Sequence, residues 1–144
     1  MRAKDIMSAN VECISPETVI PEAARRMKSL DVGFLPVCDN DRLAGTITDR
    51  DIVLQVIAED KDVKSCKAAD IMRKDVFWCY EDQTADEVAE FMAAKEIRRA
   101  LILSREKRLV GVVSLGDLAK ARGEAKKAGE ALKEIAAAPR AQAA

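Results

Sequence analysis

Apolar residues follow two spacings along the chain, and each spacing predicts one kind of element. Short runs of consecutive apolar residues, bounded by polar or glycine-containing segments, predict buried strands. Apolar residues spaced three and four apart predict a helix with one core-facing side. The first such helix follows Thr18, a residue type that favours the helix N-cap. Its apolar positions are Ile20, Ala23, Ala24, Met27 and Leu30.

The predicted elements occur in the order β-α-β-β-α, and that order appears twice. In the first half, strands are predicted at residues 11–14, 34–37 and 43–48, with helices after Thr18 and from Asp49. The second half consists of strands at 76–79, 100–103 and 109–114, a helix capped by Thr84 with Val88, Phe91 and Met92 on its apolar side, and a last helix from Leu115. We therefore predict an α/β (α+β) chain with two copies of one unit.

Comparison of the two halves gives an internal repeat at an offset of 65 or 66 residues. The sequence Asp-Ile-Met at residues 5–7 returns at residues 70–72, and residues 42–48 return as 108–114. Two copies are too few for a solenoid, but they can close one shared core. The predicted organisation is a first repeat at 1–58, a linker at 59–65, a second repeat at 66–120 and a C-terminal segment at 121–144.

The C-terminal segment is rich in alanine, lysine and glutamate, which favour helix formation. We predict an extended helix whose last turns are exposed or lie against a partner, which ends at Pro139 and is followed by a frayed tail. A basic helix on a membrane surface is a second interpretation, which the scarcity of large apolar residues disfavours.

Composition argues against several kinds of chemistry. The 144 residues include no histidine, so the chain can form neither a Ser-His-Asp triad nor a histidine-ligated metal site. The four cysteines include no C-x-x-C pair, which argues against zinc and thioredoxin-type sites. We therefore expect no metal, no required cofactor and no enzymatic activity.

Charge and hydropathy limit the partners of the protein. The 24 basic and 25 acidic residues give a net charge of −1, and aromatic residues make up 3% of the chain, which together argue against nucleic-acid binding. No apolar run reaches the roughly 20 residues of a membrane span, and residues 1–5 lack the apolar stretch of a secretory signal. We therefore expect a cytoplasmic protein without a membrane partner.

One motif, G-x-x-[ST]-x-x-D, follows the third strand of each copy, at residues 45–51 and 111–117. A hydroxyl beside the unpaired N–H groups of a first helical turn favours an anion such as phosphate. A carboxylate three residues later can accept hydrogen bonds from two ribose hydroxyls, and Arg50 can reach phosphate oxygens. The same spacing is also the helix-capping box, in which both side chains satisfy backbone N–H groups. The residues alone leave both interpretations open.

Together these features resemble the cystathionine-β-synthase (CBS) domain pair, a regulatory module that occurs alone and attached to enzymes, channels and transporters. The resemblance rests on the two Asp-Ile-Met openings, on residues 32–37 ahead of the first hairpin turn, and on both motifs with their preceding strands. It covers about residues 1–120. It implies two β-α-β-β-α repeats related by pseudo-twofold symmetry, with their sheets packed together.

The resemblance also implies ligands and site residues. Many CBS pairs hold AMP, ADP, ATP, S-adenosylmethionine or sometimes NAD in two clefts, each combining the aspartate motif of one repeat with the strand region of the other. The aspartate binds ribose, hydroxyl and arginine groups bind phosphates, and apolar strand edges hold adenine. One implied set is Ser114 and Asp117 with Val32, Gly33, Phe34 and Pro36, and the other is Thr48, Arg50 and Asp51 with Ile97, Arg98 and Arg99.

The two implied sites differ in this chain. Gly116 stands where the first motif has Arg50, which removes a phosphate partner, whereas Arg98 and Arg99 add positive charge on the Asp51 side. If only one site binds a phosphorylated adenosine, we therefore expect it to be the Asp51 site. Arg98 and Arg99 are equally consistent with a solvated rim that pairs with nearby acidic residues.

We expect a sensor that binds an adenosine-containing ligand and signals to an unidentified regulated protein by a population shift. The alternative is a ligand-independent dimerisation or interaction module whose aspartates only cap helices. We also expect a homodimer, because twofold closure is the commonest soluble arrangement and one apolar stripe is longer than a half-domain needs. The stripe consists of Ile52, Val53, Val56 and Ile57, and it is equally consistent with a core role.

Overall fold

The computed structural model describes residues 1–121 and 125–137, which form a mixed arrangement of helices and short strands. In chain order the elements are α1 (Ala3–Ile6), α2 (Ile20–Leu30), β1 (Phe34–Asp39), β2 (Arg42–Thr48), α3 (Asp49–Ile52) continued by a π-helical turn (Val53–Ile57), α4 (Ala68–Ile71), β3 (Trp78–Tyr80), α5 (Ala85–Lys95), β4 (Arg99–Leu103), β5 (Leu109–Ser114), α6 (Leu115–Lys120) and α7 (Ala125–Ala137). The predicted α+β fold class is confirmed.

The chain divides into two compact units. The central unit is Glu12–Val76, and the terminal unit combines Met1–Val11 with Phe77–Ala144. Helix α1 opens the first sequence repeat but belongs to the terminal unit, and α4 opens the second repeat but belongs to the central unit. The compact units therefore divide the chain at other positions than the sequence repeats, whose boundaries stay a prediction.

The core of the central unit lies between helix α2 and a two-stranded sheet. Strands β1 and β2 are antiparallel, and Phe34 pairs with Thr48 at one end and Asp39 with Arg42 at the other. Alternate residues of a strand point to opposite faces, so each strand gives one row of side chains to the core. The buried apolar residues are Ile14, Ile20, Ala23, Met27, Leu35, Val37, Ile47, Val56, Cys66, Ala68 and Ile71.

Helix α2 begins later than predicted, and the predicted N-cap at Thr18 is wrong. The N-cap residue is Val19, and Pro21 lies in the first turn, where the missing N–H of proline is tolerated. Thr18 Oγ1 instead accepts a hydrogen bond of 3.0 Å from a backbone N–H three residues earlier. Thr84 does cap α5 as predicted, since its Oγ1 accepts a hydrogen bond from Glu87 N at 3.1 Å.

The first predicted strand does not form, and Pro36 explains why. One residue of that segment pairs with β1: Ile14 N donates to Pro36 O at 3.0 Å, and Cys38 N donates to Ile14 O at 2.8 Å. The next hydrogen bond of a parallel ladder needs an N–H on Pro36, which proline lacks. The terminal unit has Leu101 at this position; its N–H donates to Phe77 O at 3.1 Å, and strand β3 follows.

The terminal unit contains a three-stranded sheet in the order β3-β4-β5. Strand β3 is parallel to β4, and β4 is antiparallel to β5 with Arg99 opposite Ser114. Helices α1, α5, α6 and α7 contribute side chains to the same core. The buried apolar residues of this core are Ala3, Cys79, Ala85, Val88, Ala89, Met92, Ile97, Ala100, Ile102, Val113, Leu118 and Ala128.

The C-terminal helix is α7, which is separate from α6. Helix α6 stops before Ala121, whose backbone is extended with φ −68° and ψ 138°. Helix α7 then packs against α5 and α6. It buries Ala128, Ala131 and Ile135, so the helix is part of the terminal unit and not a continuation of α6. The predicted helix end at Pro139 lies outside the described residues.

The motif glycines lie where another segment crosses the strand at close range. Beside Gly45, Thr46 N donates to Arg73 O at 2.9 Å and Arg73 N donates to Thr46 O at 2.8 Å. A Cβ atom at Gly45 would lie 2.6 Å from Arg73 O, closer than atoms can pack. In the terminal unit, a Cβ atom at Gly111 would lie 2.9 Å from Ser8 O. Backbone packing therefore explains both glycines.

We expect Gly45→Ala to lower the free energy of unfolding by about 1–3 kcal/mol, because the added methyl group meets a backbone carbonyl that cannot rotate away. Gly129→Ala is the matched control: a Cβ there meets no atom within 4 Å, and the position lies inside helix α7. We expect this control to raise the free energy of unfolding by about 0.5–1 kcal/mol. Urea unfolding measures both variants, and effects of the same sign would contradict the packing explanation.

Candidate functional site

Strand β2 leads directly into α3, and a complete capping box forms at this junction. Thr48 Oγ1 accepts a hydrogen bond from Asp51 N at 3.0 Å, and Thr48 N donates to Asp51 Oδ2 at 3.0 Å. These bonds satisfy backbone N–H groups that the start of a helix leaves unpaired. The fold itself therefore uses one carboxylate oxygen of Asp51.

Arg73 binds the second carboxylate oxygen of Asp51. The guanidinium atoms Nη2 and Nε lie 3.1 and 3.2 Å from Asp51 Oδ1. The side chain of Asp51 is 2% exposed and that of Arg73 is 38% exposed. A buried carboxylate without a partner is strongly destabilising, so the ion pair compensates for the burial of Asp51. Arg73 reaches this position because its backbone pairs with Thr46.

The junction of β5 with α6 forms the same capping box. Ser114 Oγ accepts a hydrogen bond from Asp117 N at 3.1 Å, and Ser114 N donates to Asp117 Oδ2 at 2.8 Å. Asp117 is half-buried. Within residues 1–121 and 125–137, Asp117 Oδ1 makes no hydrogen bond or ion pair. This junction therefore has a carboxylate oxygen that can still accept hydrogen bonds.

The difference between the two junctions originates in the segments that cross them. Ser8 pairs with Val112 in the terminal unit through hydrogen bonds of 2.9 and 3.1 Å, as Arg73 pairs with Thr46 in the central unit. A serine side chain carries no charge and cannot neutralise a carboxylate. Arg73 was not among the site residues predicted from the sequence. Alignment of the two repeat openings matches it with Ser8, and that difference is the signal that could have identified it.

Arg50 and Gly116 occupy equivalent positions in the first turns of α3 and α6. The side chain of Arg50 is exposed, and its backbone N–H donates to Asp49 Oδ1 at 2.8 Å. An exposed guanidinium beside a helix start is suited to pair with phosphate oxygens. Gly116 provides no such group, so the first turn of α6 lacks the cation that α3 has at this position.

The segment that leads into β1 lies beside the junction of β2 with α3. Asp49 N donates to Gly33 O at 3.0 Å, and Phe34 pairs with Thr48 in the sheet. The four residues implied as adenine contacts differ in accessibility: Val32 is exposed, Gly33 and Phe34 are half-buried, and Pro36 is buried. Three of the four are therefore accessible to a ligand.

The segment that leads into β4 lies beside the junction of β5 with α6. Leu115 N donates to Arg98 O at 3.1 Å, and Arg99 pairs with Ser114 in the sheet. Ile97 is 8% exposed and belongs to the core, whereas Arg98 and Arg99 are exposed. In each unit, the segment that leads into the first hairpin strand therefore lies next to the aspartate motif of the same unit. The implied sets, which combine residues of different repeats, stay predictions.

In the described part of the chain, no three or more cysteine, aspartate or glutamate side chains cluster closely enough to hold a metal ion. Among the same residues, no helix has the length and apolar character needed to cross a membrane.

Comparison with known proteins identifies the family. The family model described as "CBS domain" matches residues 3–58 and again residues 68–124. The chain belongs to the CBS domain family. The two matched segments correspond to two CBS repeats in one polypeptide and cover most of its length.

Two curated relatives match this chain over most of their length. Hypoxic response protein 1 of Mycobacterium tuberculosis is 36% identical over 119 residues, which cover 82% of each chain. The CBS domain-containing protein YhcV of Bacillus subtilis is 36% identical over 132 residues, which cover 92% of this chain and 93% of YhcV. These relatives consist largely of the matched CBS region.

Solved CBS structures support the same fold. The CBS domain pair of protein MJ0100, in complex with 5′-methylthioadenosine and S-adenosyl-L-methionine, is 29% identical with a TM-score of 0.72, and the match covers 83% of this chain and 94% of that one. The structure of hypoxic response protein I with two coordinated zinc ions is 35% identical with a TM-score of 0.74, and the match covers 83% of this chain and 98% of that one. The predicted CBS-pair fold is therefore confirmed.

Replacement of each motif aspartate by asparagine distinguishes the contribution of the ion pair to stability from that of the helix cap. Asparagine keeps an oxygen that can accept the capping hydrogen bond but carries no charge. We expect Asp117→Asn to change the free energy of unfolding by less than about 1 kcal/mol. We expect Asp51→Asn to lower it by about 1–3 kcal/mol, because Arg73 loses its charged partner. Urea unfolding at neutral pH measures both, and equal losses at the two positions would contradict a distinct role for the ion pair.

Proposed function

We propose that this CBS protein is a non-enzymatic regulatory module that binds an adenosine-containing ligand of the AMP, ADP or ATP class. The observation that carries the proposal is the half-buried Asp117, which has one carboxylate oxygen without a hydrogen bond to any residue that the structure describes. Such an oxygen can accept a hydrogen bond from a ribose hydroxyl. S-adenosylmethionine and NAD contain the same adenosine. A CBS pair 29% identical to this chain holds two adenosine derivatives, which supports the ligand class.

We propose Asp117 as the first carboxylate to bind ribose. Both oxygens of Asp51 are engaged, one by Thr48 N and the other by Arg73, so a ribose at Asp51 has to compete with these contacts. Arg50 still favours phosphate at that junction. This order differs from the one that the arginine positions favoured in the sequence, because both oxygens of Asp51 already accept hydrogen bonds, whereas Asp117 Oδ1 accepts none from the described residues.

Ligand binding can regulate a partner only through a difference in affinity between two conformations. A tenfold preference for one conformation shifts the equilibrium by about 1.4 kcal/mol, which is within the usual range of allosteric coupling. We propose that an adenosine ligand shifts the CBS pair in this way and that an unidentified protein responds to the favoured conformation.

A ligand-independent interaction module is the second candidate function. The observation that favours it is that both aspartates form complete capping boxes, which are a sufficient structural reason for their presence. In this case the exposed apolar surface of the protein carries the function, and nucleotides have no effect. The ligand experiment below separates the two candidates.

We propose that a second copy of the chain covers the π-helical turn. Val53, Leu54 and Ile57 are 54%, 46% and 57% exposed there. Burial of three large apolar side chains is favourable, and a twofold dimer brings the same patch of each copy together. The other two residues of the predicted stripe, Ile52 and Val56, pack with the core of the central unit.

The ligand experiment is a thermal-shift screen of nucleotide-free protein against AMP, ADP, ATP, S-adenosylmethionine and NAD. A ligand at 100 times its dissociation constant adds about 2.7 kcal/mol of stability, or roughly 5–10 °C for a domain of this size. We expect this shift in the wild type and in Asp51→Asn, and its loss in Asp117→Asn. Asparagine preserves the cap, so the loss would not reflect unfolding.

Other results would contradict parts of this proposal. A shift that disappears only in Asp51→Asn would keep the sensor but overturn the order of the two carboxylates. A shift that persists in both variants would show that neither carboxylate binds ribose. No shift with any compound, in folded protein, would favour the ligand-independent module.

For self-association, we expect Ile57→Glu to convert a dimer into a monomer at micromolar concentration, because a charge in an apolar interface is unfavourable. Leu132→Glu is the matched control, since Leu132 is 50% exposed on helix α7 and lies outside the proposed patch. Light scattering reports the mass of each variant. A monomeric wild type, or equal effects of both substitutions, would contradict the proposed interface.

A further inference from the structure

Two of the four cysteines lie in direct contact in the central unit. Cys13 Sγ and Cys38 Sγ are 2.9 Å apart, although 25 positions separate the two residues in the chain. Both are free thiols, and both are half-buried, so small reagents can reach them. The nucleotide proposal uses neither residue.

The backbone holds this pair of thiols together. Cys13 precedes Ile14 and Cys38 follows Val37, and Ile14 pairs with Val37 in a parallel bridge. The flanking hydrogen bonds, Ile14 N to Pro36 O and Cys38 N to Ile14 O, are 3.0 and 2.8 Å long. Fixed backbones on both sides mean that the sulfur atoms meet without a rearrangement of the strands. Formation of a disulfide bond between them therefore costs little conformational entropy.

The hydrogen bond between the thiols makes them chemically unequal. Cys38 donates to Cys13 Sγ, which favours the thiolate of Cys13 and lowers its pKa. Burial and the negative charge of Asp41 act in the opposite direction on Cys13, but more weakly. The same hydrogen bond, together with burial, raises the pKa of Cys38. Cys13 is therefore the better nucleophile of the two, because the thiolate is the reactive form.

The other two cysteines provide an internal comparison. Cys66 is 6% exposed and Cys79 is 2% exposed. Burial raises the pKa of Cys66, and it raises the pKa of Cys79 to about 11. Buried thiols with raised pKa values react slowly with disulfides. The protein thus contains one accessible pair of thiols and two inert ones.

We propose that Cys13 and Cys38 form a reversible disulfide by exchange with a small disulfide such as glutathione disulfide. The Cys13 thiolate attacks one sulfur of glutathione disulfide, forms a mixed disulfide and releases one glutathione thiolate. Cys38 then attacks the sulfur of Cys13, and the second glutathione leaves as a thiolate. The two thiolates take up the protons lost by Cys13 and Cys38. In total, two protein thiols are oxidised and one glutathione disulfide is reduced.

The test uses the full-length reduced protein in glutathione buffers of increasing oxidised fraction. Acid quenching, alkylation of free thiols and tryptic mass spectrometry then locate each cysteine. Trypsin cleaves after Lys4, Arg25, Lys28 and Arg42, so Cys13 and Cys38 lie on different peptides and a link between them is visible directly. We expect that linked peptide, its loss on addition of dithiothreitol, and oxidation at least about tenfold faster than that of Cys66 or Cys79.

Cys38→Ser tests the order of the steps. Serine keeps a hydrogen-bond donor beside Cys13 but cannot resolve the mixed disulfide. We expect this variant to accumulate one glutathione on Cys13, whereas the wild type does not. The proposal is overturned if the linked peptide is absent at every buffer ratio, if the link joins two chains, or if Cys66 and Cys79 oxidise equally fast. The wild-type measurement tests disulfide formation even if the variant does not fold. Its result does not depend on whether the protein binds a nucleotide.

Discussion

The backbone pairing between a repeat opening and a motif-bearing strand is the contact on which both candidate junctions depend. In the central unit, Thr46 and Arg73 exchange two hydrogen bonds beside Gly45, and in the terminal unit Ser8 and Val112 do the same beside Gly111. The approach is so close that a methyl group on either glycine would overlap atoms of the crossing segment. The glycines of a motif that suggests ligand chemistry are therefore also required by packing.

The same contact makes the two motifs electrostatically different. Both capping boxes have nearly the same hydrogen-bond geometry. The crossing segment of the central unit carries Arg73, whose guanidinium pairs with the buried Asp51, whereas the equivalent residue in the terminal unit is Ser8. One carboxylate is therefore paired with a cation inside the fold, and the other has an oxygen that accepts no hydrogen bond from residues 1–121 or 125–137. A single residue outside the motif thus makes the two copies of the motif different.

Local sequence was sufficient to predict the elements that local interactions determine. The hairpin strands, the cap at Thr84 and the capping-box spacing of both motifs follow from residue types within a few positions of each other. The failures have tertiary causes. Pro36 removes a hydrogen bond that the first strand needs, and Arg73 reaches Asp51 across 22 positions. The π-helical turn exposes Leu54, which a regular helical stripe did not include.

A crystal structure of the protein with bound AMP locates the ribose without any substitution in the chain. We expect the ribose hydroxyls to lie within hydrogen-bond distance of Asp117 Oδ1 and Arg73 to remain paired with Asp51. Ribose bound at Asp51, or AMP bound away from both aspartates, would show that Asp117 is not the first carboxylate to bind ribose.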